Sequence, residues 1–466
     1  MKINAILLFA GLFSIFHDVF AGDNEIRYKG IKGLSVLAGD VYVARPEKWT
    51  CLYDIPEHIG ISQELTDNIR DSLLYEINNI SGCIGKDSLM TSDIFRIYKP
   101  YFDWLRYVDP HYRVSNYNVL STVYGSAAKQ KKALKNNVSV LPFNVLNIND
   151  TLIVWTSLDG QFQKGDMVKS INGTPVSELL KYNYTDRRTN PDILLRNYFA
   201  SDLVGHYDVE LTRGNQSINV STSGYGFQKN SLYIELAQAE CTEKNIFTYS
   251  ETKVGYISIP RFFPDNSRII RLVASALLGF QKNGIENVIL DLRGNPGGNG
   301  DRFDELLSLF IQKDFIPYMK NQKIKLNGVV SEMSKEEYCS NIVLDKSKYM
   351  SGMKYYVLMD SSTGSIAASF CNILQYNNAA TIVGEPLLHN ALKYGETVRS
   401  ARKFPNNEMP ALFREAGISI VEYDEYTKAV DGVLMPDIHI PYVAKDYMTG
   451  KDAMLDKLLE IIRSNK

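Results

Sequence analysis

Ser365 is the side chain in this sequence best placed to do chemistry. It closes the stretch Asp360-Ser361-Ser362-Thr363-Gly364-Ser365, which follows the apolar run Tyr355-Tyr356-Val357-Leu358-Met359 and precedes the small-residue segment IAASFCNIL. The pattern predicts a buried strand, a polar turn and a helix. Ser365 then sits at a helix N-terminus, where backbone N–H groups are free and the helix dipole favours developing negative charge. A serine so placed can attack a carbonyl carbon, with donors waiting for the oxyanion that forms. The same position suits a helix N-cap, a role serine fills well, and on this segment alone the cap is the stronger reading.

Two other segments shift the balance. In NVILDLRGNPGGNG, residues 287–300, an unalternating apolar run leads into closely spaced glycines and then into an expected helix, RFDELLSLFI. Such a run predicts a strand covered on both faces, as in a parallel sheet. The loop lacks both GxGxxG and a GK[ST] ending, which argues against nucleotide binding. Glycines here let a backbone N–H approach a substrate atom without a Cβ in the way; a tight turn is the alternative. After Ser365 come a helix to about Asn377, the strand ATIVG and the tripeptide Gly384-Glu385-Pro386.

In order, DLRGNPGG, YYVLMDSSTGSIAASF and TIVGEP resemble the C-terminal processing peptidases, also called tail-specific proteases. Ser365 precedes Gly384 by 19 residues (384 − 365 = 19), in register with the family nucleophile. The resemblance covers about residues 100–445. It implies a crotonase-like (ClpP/crotonase) β/α peptidase core within an α+β multidomain chain, Ser365 as nucleophile, and an oxyanion hole built from the N–H groups of Gly298 and Ile366. It also implies protein or peptide substrates and no metal or cofactor.

The base is less direct. In the processing peptidases it is a lysine 25 residues after the nucleophile; here 365 + 25 = 390, and position 390 is Asn390, which cannot take a proton. Three groups are candidates. Lys393 is displaced by three residues and needs burial to lower its pKa. His389 is a neighbouring loop residue. His111, in Val108-Asp109-Pro110-His111, stands ahead of the 125–225 region, where the tricorn-like relatives of this family carry the histidine of a Ser-His-acid system. Imidazole is well tuned for proton transfer near neutral pH, and His111 is the favoured base. Asp431 and Glu422 are the candidate acid partners. The departures at Asn390 and at Ala368, where the family often has Glu, also admit a catalytically inactive peptide-binding protein. An α/β-hydrolase esterase is disfavoured, because no G-x-S-x-G surrounds Ser365.

The chain of 466 residues is long enough for two or three domains. A net charge of −2 gives no reason to expect nucleic acid or an anionic membrane as partner. Lys2, the apolar run INAILLFAGLFSIF and Val19-Phe20-Ala21 predict a signal peptide over 1–21, hence an exported protein: periplasmic, cell-surface or secreted. A retained anchor is the alternative, and no later segment is long and apolar enough to span a bilayer. Five cysteines in no CxxC spacing indicate neither zinc nor redox motifs, and Cys371 reads as core.

The remaining boundaries divide the chain into a helical region at 22–124, a β-rich module at 125–225 and the catalytic core at 226–466. Helical spacing marks 62–77 and 100–111. The module shows short strands between polar turns, and Lys164–Gly173 resembles the GDxIxxING segment of PDZ domains, which bind extended peptide ends by strand addition. In the core, VGYISIP, RIIRLVASALLGFQKNG and NVILDLRG predict a βαβ crossover and so parallel strands.

Overall fold

The computed structural model describes residues 27–29, 88–90, 139–181, 206–223, 225–226, 241–262, 265–312, 319–326, 329–334, 343–387, 418–423, 429–430 and 433–465. Residues 1–21, expected to be a signal peptide, and the helices expected at 62–77 and 100–111 lie outside these residues.

The β-rich module is an antiparallel sheet of β1 (Phe143–Ile148), β2 (Thr151–Ser157), β3 (Met167–Ile171), β4 (Tyr207–Arg213) and β5 (Gln216–Thr222), in that spatial order. Helix α1 (Val176–Lys181) packs beside β3. Alternation sets its inner face: Tyr207, Val209 and Leu211 of β4 are buried, while Asp208 and Glu210 face out. The Asn172-Gly173 turn has positive φ at both residues, 51° and 73°, as a two-residue hairpin turn requires. Asp166 is buried and paired with Arg213 at 2.7 Å, which fixes the loop before β3 to the end of β4.

The core is a six-stranded sheet ordered β6 (Ile246–Tyr249), β7 (Val254–Ser258), β8 (Asn287–Asp291), β9 (Lys354–Met359), β10 (Thr381–Gly384) and β11 (Ile438–His439). All neighbours are parallel except β6, which runs antiparallel along the edge. Helix α2 (Asn266–Lys282) makes the crossover from β7 to β8 that the sequence predicts. Its start is capped by Asp265, whose carboxylate accepts from the Ser267 N–H at 2.8 Å.

Both faces of the sheet are covered, which is why its strands are continuously apolar. Val288, Leu290, Tyr355, Val357 and Met359 turn toward α2 and toward α4 (Ile366–Tyr376), with Cys371 fully buried among them. Ile289, Tyr356, Leu358 and Val383 turn the other way, onto α5 (Ala444–Tyr447) and α6 (Ala453–Ser464). That second layer takes in Leu146, Ile148 and Ile153 of the module. The Trp155 and Tyr447 rings lie 5.8 Å apart, with the Lys164 ammonium 3.5 Å over the Trp155 ring.

One expected helix is shorter than its apolar spacing implies. RFDELLSLFI forms only α3 (Phe303–Leu307). Its start is Arg302 in a left-handed conformation, and its end tightens into three-residue turns, Leu309 N–H to Leu306 and Phe310 N–H to Leu307. Beyond the core, the strands Met319–Leu326, Val329–Ser334 and Ile418–Tyr423 form a separate three-stranded sheet.

Candidate active site

The carboxyl ends of β8, β9 and β10 meet at one place, the usual position for a site in a parallel sheet. β9 ends at Met359, and the chain turns through Asp360–Ser365 into α4. The turn is stitched at its base: the Asp360 N–H donates to Thr363 Oγ1 at 3.0 Å, and that hydroxyl donates to the Leu292 carbonyl at 2.9 Å.

Ser365 occupies the cap position of α4, but its side chain caps no helix N–H. Its backbone has φ 51° and ψ −129°, outside the regions an L-residue prefers. Such a conformation costs on the order of 1–3 kcal/mol and persists only where the surroundings impose it. The N-cap alternative fails on this geometry: serine here bears backbone strain and gives no cap bond in return.

The glycine loop leaves β8 directly beside this turn. Asn295 organises it, donating to the Ile259 carbonyl at 2.7 Å and accepting the Gly297 N–H at 2.8 Å. The Gly364 N–H donates to the Asn295 carbonyl at 2.9 Å, joining loop to turn. Gly297 (φ 96°) faces Ser365, and Gly298 (φ 145°) faces the Phe262 backbone so closely that a Cβ would lie 2.0 Å from the Phe262 oxygen. Phe262 donates to Gly297 and accepts from Asn299 in a parallel bridge. The Gly298 N–H therefore points away from Phe262. Ile366 is the first residue of α4, ahead of the first bonds made by Ala367, Ala368 and Ser369, so its N–H has no partner within the helix.

Residues that the motif reading left without a role hold this frame. Arg293 is buried between two carboxylates, donating to Asp291 (Nε at 2.9 Å) and to Asp452 (Nη1 and Nη2 at 2.7 Å). Burial works to lower its pKa, but Asp291 and Asp452 outweigh burial and hold it well above the ordinary value. Tyr256 donates to Asp291 at 2.7 Å, and burial first, then the Asp291 charge, pushes its phenol up. Asp452 also caps α6 through the Leu455 N–H, so the DLR segment is bolted to the C-terminal helix. Gly384 (φ 127°) would place a Cβ 2.0 Å from the Met359 oxygen, and this is why β10 ends in glycine. No sequence spacing links Arg293 to Asp452; only the fold does.

Of the predicted site residues, Ser365, Gly298 and Ile366 lie among the described residues at this junction. His111, Lys393, His389, Asn390 and Asp431 lie outside them. Glu422 stands in the strand Ile418–Tyr423, in register with Asn321 of the separate sheet. Among the described residues no cluster of His, Cys, Asp or Glu could hold a metal ion, and no helix is long and apolar enough to cross a membrane.

Comparison with known proteins agrees with this architecture. Residues 253–406 match the profile of peptidase family S41, a segment that contains Ser365, Gly298 and Ile366. The carboxy-terminal processing protease CtpB of Bacillus subtilis (strain 168) is 31% identical over 125 residues, 25% of this chain and 25% of that protein. A probable CtpA-like serine protease of Staphylococcus haemolyticus (strain JCSC1435) is 24% identical over 203 residues, 43% of this chain and 36% of that protein. The chain thus spans only about a quarter to a third of the length of these relatives. Among solved structures, mature CPAF superposes with a TM-score of 0.51 at 14% identity, covering 98% of this chain and 97% of that one. Its complex with lactacystin gives 0.52 at 14%, covering 99% of each; at that identity the likeness speaks to the fold. Residues 253–406 are thus similar to peptidase family S41, and the similarity to C-terminal processing proteases is found in sequence as well as in motif.

Proposed function

We propose that this protein is an exported serine endopeptidase of the C-terminal processing type, hydrolysing peptide bonds through Ser365. The observation that carries the reading is the strained Ser365 backbone, with its hydroxyl withheld from capping at the start of α4. Ser365 Oγ attacks the scissile carbonyl. The N–H groups of Ile366 and Gly298 receive the oxyanion, a contribution typically worth about 10²–10³ in rate per donor. His111 takes the serine proton and returns it to the leaving amine; Lys393 is the alternative base. The core is read as crotonase-like. The antiparallel module, with its Lys164–Gly173 segment and paired Asp166, is read as a PDZ-like domain that selects peptide ends. The lead segment 1–21 is read as a signal peptide.

The test is labelling by a fluorophosphonate probe of wild type, Ser365→Ala, His111→Ala and Lys393→Ala. Labelling lost in Ser365→Ala and His111→Ala but kept in Lys393→Ala supports the reading. Loss in Lys393→Ala with His111→Ala labelled transfers the base to Lys393. An unlabelled, folded wild type returns the protein to the peptide-binding, inactive alternative that Asn390 suggests.

A further inference from the structure

We propose that Asp360 is a positioning residue, a single buried carboxylate that sets the two halves of the oxyanion hole in register; the proposal rests on the serine-peptidase reading above. Asp360 is fully buried at the end of β9. Its Oδ1 accepts the Gly294 N–H and the Ser362 N–H, each at 3.0 Å. Gly294 lies four residues before Gly298 (298 − 294 = 4), and Ser362 lies four residues before Ile366 (366 − 362 = 4). One oxygen atom therefore grips both loops at the same remove from the donors they present. A hydrogen bond is electrostatically stronger where water is excluded.

The other oxygen reaches the C-terminal segment. Asp360 Oδ2 accepts from the Tyr442 hydroxyl at 3.3 Å. The Tyr442 N–H in turn donates to Glu385 Oε1 at 2.9 Å, and the Tyr442 ring packs 5.0 Å from that of Tyr447. Glu385 of the GEP tripeptide thus holds Tyr442, Tyr442 steadies Asp360, and Asp360 holds the hole. Asp360 acts through backbone groups, not on substrate. Removing its carboxylate takes this acceptor from the buried Ser362 N–H and the half-buried Gly294 N–H, and the loops shift to satisfy them. The Gly364–Asn295 bond still joins the loops at 2.9 Å, so the expected result is a loosened hole in a folded protein.

The experiment compares Asp360→Ala, Asp360→Asn and Tyr442→Phe in the full chain, with peptide turnover and amide hydrogen exchange as readouts. Asp360→Ala is expected to lower kcat by about 10²-fold with KM little changed, the size of effect a small misplacement produces. Asp360→Asn keeps a carbonyl oxygen for both N–H groups and should recover most of that rate. Tyr442→Phe, which keeps the ring, should fall between. In Asp360→Ala, exchange should rise in fragments covering 292–299 and 361–366 and stay unchanged in α2. The proposal is overturned by wild-type kcat in Asp360→Ala, by an asparagine variant as damaged as the alanine one, or by exchange that is unchanged or raised throughout. If wild type neither turns over peptide nor reacts with the fluorophosphonate, the peptidase reading fails separately. The exchange comparison then decides alone: paired local deprotection supports the tether, and its absence overturns it.

Discussion

Gly297 faces Ser365 with no room for a side chain between them: a Cβ at position 297 would lie 2.6 Å from the Ser365 Cβ and 2.8 Å from the Gly364 carbonyl oxygen. The glycine loop and the Ser365 turn are therefore one surface. Gly297→Ala must either displace Ser365 or move the loop that presents Gly298, and the φ of 96° adds strain of its own. Peptidase turnover is expected to fall by about 10²-fold or more, with a lowered Tm. Wild-type kcat/KM in this variant would sink the proposed oxyanion geometry.

Ser365 itself should show the opposing demands of stability and chemistry. At φ 51° and ψ −129°, glycine is at ease where serine and alanine are not. Ser365→Gly is expected to be more stable than Ser365→Ala by about 1 kcal/mol or more in urea unfolding, and both should be unreactive to the fluorophosphonate. Equal stabilities would contradict the strained turn.

The Asp291–Arg293–Asp452 cluster predicts a large stability effect at a distance from the reaction. Arg293→Ala leaves two carboxylates facing each other with their counter-charge gone, at a site where Arg293 is 1% and Asp291 4% exposed. Breaking a buried pair by deleting one partner costs about 3–5 kcal/mol. The expected readout is a lower urea midpoint, with α6 losing exchange protection because its cap, Asp452, loses its partner.

Cys241 predicts an alkaline stability loss. Burial pushes its thiol from the ordinary 9.0 up to about 11. The folded state resists ionisation while the unfolded chain ionises first. The contribution is thus full below about 9 and lost as the pH rises toward about 11. Iodoacetamide at pH 8 should leave Cys241 unmodified in the native protein and modify it in urea. Rapid native alkylation would refute its burial.

Much of the core was legible in the sequence because its signals are local. Unalternating apolar runs marked β8 and β9, the 3.6-residue stripe marked α2, and the turn residues 172–173 marked a hairpin. The helix expected from RFDELLSLFI is truncated, since periodicity says nothing about a left-handed start at Arg302 or the tightening after Leu307.

By itself the sequence determined which residues could react and in what order they come: a serine after a strand, glycines after another, a GEP strand end, spaced as in the C-terminal processing peptidases. It could not distinguish a capping serine from a nucleophilic one, because both occupy the same position in the chain. Tertiary structure decided only that Ser365 makes no cap bond, which is what the nucleophile reading rests on. The hydroxyl is withheld from the helix, the backbone of Ser365 is held in strain, and Gly297 closes against it. The physical reason is that strain and close approach depend on what surrounds a residue in space. Arg293 lies 159 positions from Asp452 and Asp360 82 from Tyr442, separations that only parallel strands, packed helices and a shared buried volume can bring within hydrogen-bond reach.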